Sequence, residues 1–225
     1  MFLRTAVLVL KKDVAIELRS YEILATTVFF AVACVAIFSF AFVKEGQAFE
    51  DAAAGILWIA IAFSGALALG RTFERERYGE TLRALLLAPA PRAAIYVGKM
   101  LGIVVLLVVC ELLLVPLVAL LFRSRLFEEP VLLVALLLTG TVGFAVVGSL
   151  FAAMLVRART RDVMLPILLY PMTVPLMIGG VRGTVALTQT PVDQPSAIMW
   201  IVLLLCMDAV FLILALWTFE PLMTE

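Results

Sequence analysis

The sequence contains no histidine, and this absence excludes several kinds of catalytic site. A Ser-His-Asp triad needs an imidazole to move the proton, and the common zinc and heme-iron sites use histidine as a ligand. Cysteine is scarce as well, because Cys34, Cys110 and Cys206 stand alone in apolar stretches, without the spacing of a metal site or a disulfide framework. We therefore expect no metal site and no independent enzymatic activity.

A nucleotide-binding loop is also missing. The P-loop pattern ends in Gly-Lys followed by Ser or Thr, and another glycine comes five residues before that Gly-Lys pair. Here Gly98 and Lys99 are followed by Met100, and Ala93 stands at the position of the earlier glycine. ATP chemistry must therefore come from another chain, and we expect no cofactor bound by this chain alone.

The chain has few charged residues, its basic and acidic residues are equal in number, and it contains long apolar runs. Charged residues make up 15% of the chain, with 17 basic and 17 acidic side chains, and we expect no nucleic-acid partner. Hydrophobic residues make up 64% of the chain, and the mean hydropathy is +1.16. Such a composition is typical of a protein in a lipid bilayer. Runs of about 20 apolar residues, the length that a spanning helix needs, lie at residues 23–43, 52–70, 100–122, 131–156, 163–181 and 197–219.

These runs predict an all-α, polytopic membrane protein, with six transmembrane helices in a single permease domain over residues 1–225. Lysine and arginine predict its orientation. Thirteen of the 17 lie before the first run or in the loops after the second and fourth runs. Because short cytoplasmic loops retain positive charge, we expect both termini to be cytoplasmic.

The N-terminal segment, residues 1–22, has the pattern of an amphipathic helix that lies in the membrane interface. One stripe is apolar and contains Leu3, Val7, Leu10, Val14, Leu18 and Tyr21, whereas the other side contains Arg4, Lys11, Arg19 and Glu22. The alternative is that the segment is a cytoplasmic extension of the first span.

Two carboxylates lie inside predicted spans, Glu111 in the third and Asp208 in the sixth. A charged carboxylate at the centre of a lipid-facing helix costs about 2.5 to 3.5 kcal/mol of insertion free energy. We therefore expect both to face the bundle interior, a water-filled path or a partner subunit. They either line a translocation route, bond at an interface, or are protonated acids bonded to a neighbouring helix.

The fifth span contains three prolines within ten residues, Pro166, Pro171 and Pro175. Each proline removes a backbone donor and crowds the preceding helical turn. We expect a kinked or re-entrant segment that breaks the helix here, and the alternative is a kinked but complete spanning helix.

The loop at residues 71–99 concentrates charge, because six of the 17 basic residues lie in it. Glu74 and Glu76 belong to a charged stretch that continues the second span into solvent, and Gly79 allows a break. A short helix is predicted from Glu80 or Thr81, with an apolar face made of Leu82, Leu85 and Leu86. That face either lies on the membrane surface or fits a groove of a cytoplasmic protein.

This loop resembles the coupling loop of type-2 ABC exporters. The resemblance is carried by the charged run Glu74 to Arg77, by the pattern Gly-x-Thr-Leu-x-x-Leu-Leu-x-x-Pro over residues 79–89, and by Gly98 and Lys99 at the start of the third span. Glu80 is a departure, since many such proteins join the Gly and Thr directly. Over nearly all of its length, the chain resembles the heme exporter protein B family (CcmB) of cytochrome c maturation.

The resemblance implies a permease of the bacterial cell inner membrane. Its partners would be a cytoplasmic ABC ATPase dimer that binds ATP and magnesium, a second copy of itself or another membrane subunit, other cytochrome c maturation membrane proteins, and a heme chaperone. Heme would be the cargo, and residues 80–86 would form the coupling contact with the ATPase. The ATP cycle could instead release a heme-loaded chaperone.

Two further interpretations are open from the sequence. Within the same class, the chain could belong to a type-2 exporter for another amphipathic cargo, such as a drug, a lipid or a glycan. In a different class, it could be a scaffold whose loop assembles a complex without moving a cargo.

Overall fold

The computed structural model of the chain describes residues 2–44, 47–48, 52–78, 91–155 and 160–222. Within these residues the protein is helical apart from one antiparallel pair of two-residue strands, β1 (Val43–Lys44) and β2 (Gln47–Ala48). The helices are α1 (Phe2–Ser20), α2 (Glu22–Ala41), α3 (Ala52–Tyr78), α4 (Arg92–Phe122), α5 (Pro130–Met154), α6 (Arg161–Thr188) and α7 (Gln194–Leu222).

Six of these helices, α2 to α7, are long and apolar enough to cross a membrane. The predicted all-α membrane fold with six spans is therefore confirmed. Helix α4 begins at Arg92, earlier than the predicted residue 100, and α6 continues to Thr188, beyond residue 181. Both extensions have the same physical reason: backbone hydrogen bonding continues where the apolar run has already ended, and hydropathy alone does not register it.

Helix α1 is a separate element and not a straight extension of the first span. Tyr21, between α1 and α2, has left-handed backbone geometry with φ 51°, which turns the chain out of the helical path. The Glu17 carboxylate accepts a hydrogen bond from the backbone N–H of Leu24 at 2.7 Å and fastens this turn. On the N-terminal side of this turn, α1 lies along α4.

Helix α5 is the centre of the bundle, in contact with α3, α4, α6 and α7. The indole of Trp58, on α3, lies between Gly140 of α5 and Gly180 of α6, and it leaves no space for a Cβ atom at either glycine. Its N–H donates to the Thr184 hydroxyl at 2.9 Å. Since lipid tails are as apolar as leucine, close backbone approach of this kind supplies much of the association energy of membrane helices.

Helix α6 passes through its three prolines as one continuous helix. The expectation that the helix breaks into a re-entrant segment is wrong, and the structure has the complete spanning helix. Pro171 and Pro175 are exposed and Pro166 is half-buried. The buried face of α6 is a different set of residues, made of Leu165, Leu169, Thr173, Leu176 and Gly180. The proline rings therefore lie away from the packing face.

The spanning helices alternate in direction, so the bundle has two ends. We call the end where α3 stops and α4 starts the loop end, because residues 79–90 connect them there. At the opposite end, Arg125 donates to the Thr190 hydroxyl at 3.2 Å, and the Gln194 amide donates to Glu129 at 2.6 Å. These contacts join the α4–α5 connection to the α6–α7 connection.

A glycine substitution tests the Trp58 packing. Gly140→Ala places a methyl group against the indole, and we expect it to destabilise the bundle by about 1–3 kcal/mol, the usual cost of overpacking. Gly55→Ala is the matched control, because nothing lies within 4 Å of a Cβ atom there. Thermal unfolding in detergent should show a lower melting temperature for the first variant alone. Equal melting temperatures would contradict the packing described here.

Candidate functional site

The predicted coupling segment begins on α3, which continues to Tyr78 at the loop end. Glu74 is half-buried in this extension, and Glu76 lies in its last helical turns. The remaining predicted coupling residues lie outside the described part of the chain; they are Gly79, Glu80, Thr81, Leu82, Leu85 and Leu86. Their role as the ATPase contact stays a prediction.

The Gly98–Lys99 pair, noticed in the sequence only as part of a motif, forms the contact with α1. The Lys99 ammonium is 2.8 Å from Oδ2 of Asp13 and donates to Oδ1 at 3.0 Å. One residue earlier, a Cβ atom on Gly98 would lie 2.7 Å from both the Ala6 carbonyl oxygen and the Val9 Cβ. Only glycine admits α1 at this distance.

A cavity of about 120 Å³ lies beside this ion pair. Its walls come from α1, α2, α3 and α4, and most of them are apolar. The polar exceptions include Asp13, Glu17, Thr72 and Lys99. Thr72 belongs to the end of α3 that leads into residues 79–90, so this end of α3 lines the same cavity as α1 and α4.

Glu111 faces the bundle interior, as expected, and is 5% exposed. Its Oε1 atom accepts a hydrogen bond from the Thr141 hydroxyl on α5. A single hydroxyl donor satisfies only part of the hydrogen-bonding capacity of a carboxylate. This contact is a polar link between α4 and α5 inside the apolar layer.

Asp208 also faces the interior and is 6% exposed. Its carboxylate lies against Gly143 of α5, where it occupies the place of a Cβ atom, and Leu176 of α6 closes the other side of that glycine. Its Oδ1 atom has no hydrogen-bond partner among the described residues. Gly143 is thus the position that allows α7 to approach α5.

The two acids meet α5 on opposite faces at nearly the same depth. Thr141 and Gly143 are two residues apart, which on an α-helix means roughly 200° of rotation and a rise of about 3 Å. Both acids are packed among other side chains in this conformation. Within the described residues, no group of three or more His, Cys, Asp and Glu side chains could hold a metal ion.

The sequence could have identified some of these partners. Lys99 stands at the start of an apolar span, where an unpaired cation is costly, and Asp13 is an acid within a basic helix. Each position indicates that the side chain pairs with an opposite charge, but 86 residues separate the two, so the sequence does not show that they pair with each other. Thr141 and Gly143 carried no such signal, since small and hydroxyl residues are frequent in packed membrane helices.

Comparisons with known proteins agree along the length of the chain. A family model described as CcmB protein matches residues 4–221. The chain is 27% identical over 183 residues to the heme exporter protein B of Pseudomonas aeruginosa, covering 81% of each protein. It is 29% identical over 171 residues to the heme exporter protein B of Rhodobacter capsulatus, covering 76% of this chain and 78% of that protein.

The Glu111 contact can be tested by its stability effect. Thr141→Val removes the hydroxyl donor from the buried acid, so we expect a loss of about 0.6 kcal/mol and at most about 1.7 kcal/mol, the average and the maximum for hydrogen bonds between membrane helices. Glu111→Gln keeps an acceptor oxygen for Thr141 and should unfold close to the unmodified protein. The free energy of unfolding in detergent micelles is measured for both variants. An unchanged value for Thr141→Val would show that the hydrogen bond contributes nothing to stability.

Proposed function

Because the chain belongs to the CcmB protein family, we propose that it is the membrane permease subunit of an ATP-driven ABC transporter complex. The complex exports heme, or delivers it to a periplasmic heme chaperone, in the biogenesis of c-type cytochromes. The observation that carries this proposal is the family match over residues 4–221. The six apolar helices agree with a multi-pass position in the bacterial inner membrane, with both termini in the cytoplasm.

The energy source is a separate cytoplasmic ATPase dimer that binds ATP and magnesium. The missing P-loop supports a separate ATPase, since this sequence lacks the pattern that holds the phosphates of a nucleoside triphosphate. Residues 80–86 are the contact with the ATPase. They lie between α3 and α4, so ATP-driven closure of the ATPase would act directly on two spanning helices and bias them between two arrangements.

Heme is the substrate of the complex and not a resident cofactor of this chain. With no histidine available, the usual neutral axial ligand is absent from any path through the subunit. The two interior acids serve as polar contacts of the helix bundle, because both carboxyl groups are packed against α5 in this conformation. Release of a heme-loaded chaperone by the ATP cycle satisfies the same constraints.

A second membrane subunit completes the complex. The outward faces of the helices expose large apolar side chains, among them Phe40, Leu120 and Trp217, which are 84%, 76% and 76% exposed. In a bilayer these side chains meet lipid, a second copy of the chain or another cytochrome c maturation protein.

The coupling contact is tested with charges in the leucine face. Leu82→Asp with Leu85→Asp should abolish stimulation of the partner ATPase and stop cytochrome c maturation, because a helix-in-groove contact requires its apolar anchors. Ala84→Asp is the control, since helical spacing puts residue 84 on the opposite side of the predicted helix. The readouts are ATP hydrolysis in proteoliposomes and heme-stained cytochrome c in cells. Normal maturation in the double variant would leave only a scaffold role for this loop.

The role of the interior acid is tested by neutralisation. We expect Glu111→Gln to retain most of the cytochrome c maturation of the unmodified chain, because the hydrogen bond with Thr141 needs an acceptor and not a charge. Glu111→Leu, which removes the acceptor, should mature less cytochrome c at equal membrane abundance. A complete loss with Glu111→Gln would instead assign the charge to a translocation route.

A further inference from the structure

The ion pair between α1 and α4 is unusual because its cation is almost completely buried. The Lys99 side chain is 3% exposed and the Asp13 side chain is 14% exposed. Removing an ammonium group from water costs several kcal/mol, which a well-placed carboxylate offsets. Both Asp13 oxygens lie within 3.0 Å of the Lys99 Nζ atom. Lys12 of α1 also lies 3.1 Å from Oδ1 of Asp13, but it belongs to the same helix as Asp13. Asp13 therefore supplies Lys99 with a counter-charge from α1, and α1 cannot leave α4 without separating this buried ammonium group from that carboxylate.

The backbone geometry extends this contact along α1. Gly98 of α4 receives the Ala6 carbonyl and the Val9 side chain, with 2.7 Å between its Cβ position and either group. One helical turn further along α4, the Cβ position of Gly102 lies 3.7 Å from the Asp13 Cβ. The contact thus runs from Ala6 to Asp13, two turns of α1, and glycine is present on α4 at both points of close approach.

The ion pair lies near the ends of the two helices that residues 79–90 connect. Lys99 lies about two turns after Arg92, the first residue of α4. Thr72, near the end of α3, lines the same cavity as Asp13 and Lys99. The cavity thus brings the amphipathic helix close to the parts of α3 and α4 that precede and follow residues 79–90.

We propose that Asp13 and Lys99 lock α1 to the first turns of α4, so that the amphipathic helix and this part of the loop end move as one rigid body when the ATPase acts. The proposal rests on the proposed function. Both are positioning residues, because they act by keeping α1 in place against α4. In this arrangement α1 lies along α4 and moves with it.

The first experiment breaks and restores the ion pair in the complete complex. Asp13→Asn removes the carboxylate charge that faces the buried Lys99, and Lys99→Met removes the cation of α4 that pairs with Asp13, so each should shift the docking equilibrium of α1 on the order of a hundredfold. We expect both to lower the ratio of cytochrome c matured to ATP hydrolysed, at unchanged membrane abundance. Asp13→Lys combined with Lys99→Asp should recover part of that ratio. Lys11→Gln, at an exposed position of the same helix, is the control.

The second experiment replaces the ion pair with a covalent bond. With Cys34, Cys110 and Cys206 changed to Ser, the variant Asp13→Cys with Gly102→Cys places two Cβ atoms at 3.7 Å, which is within the range for a disulfide. Reduced, this variant should be poorly coupled because it lacks the ion pair. Oxidised, it should regain coupling, because rigid attachment is what the ion pair provides. Coupling that is lost on oxidation would show that α1 must move against α4, and would overturn the proposal.

A spin label separates this proposal from the proposed function. Leu3 is 76% exposed on α1, so Leu3→Cys accepts a nitroxide label in the same cysteine-free background. We expect Asp13→Asn to increase the mobility of the label and Lys11→Gln to leave it unchanged. If no ATPase is stimulated even by the unmodified chain, the proposed function fails, and this measurement still tests the lock. Equal mobility in all three chains would overturn it.

Discussion

Close packing against glycine is the constraint on which this bundle depends. In a bilayer an apolar side chain gains little by leaving lipid for protein, so helices associate through short contacts and interhelical hydrogen bonds. The Trp58 indole provides both, since it fits between Gly140 and Gly180 and donates to Thr184. Phe144 lies against Gly65 and Leu69 against Gly148 in the same manner, and α5 acquires its central position from these contacts.

The same constraint governs the polar groups. A polar atom inside the membrane is stabilised by a partner within the protein, and three buried polar side chains find that partner on another helix. The Thr141 hydroxyl donates to Glu111, the Trp58 indole donates to Thr184, and the Lys99 ammonium donates to Asp13. Each hydrogen bond or ion pair joins two elements at one definite register, so the polar groups specify how the apolar helices fit together.

These contacts divide the molecule into regions with different tasks. The centre, where α5 is enclosed by α3, α4, α6 and α7, holds the two interior acids and is closely packed. The opposite end is joined by loop contacts such as Arg125 with Thr190. At the loop end, residues of α1, α2, α3 and α4 line one cavity. If the ATPase acts on residues 80–86, as we propose, movement enters at this end, where the buried Lys99 of α4 pairs with Asp13 of α1.

The sequence by itself determined the membrane class and the six spans, because these follow from local hydropathy. It limited Glu111 and Asp208 to the bundle interior, a water-filled path or a partner subunit, because a charge that faces lipid is costly. A continuous helix through Pro166, Pro171 and Pro175 was only the alternative to a re-entrant segment, since the proline rings lie off the packing face and only the assembled bundle shows which face that is. The family resemblance came from the order and spacing of motifs along the chain. Tertiary structure alone decided that Lys99 pairs with Asp13 and that Gly143 receives Asp208, because these contacts join residues far apart in sequence and depend on how the helices pack in three dimensions.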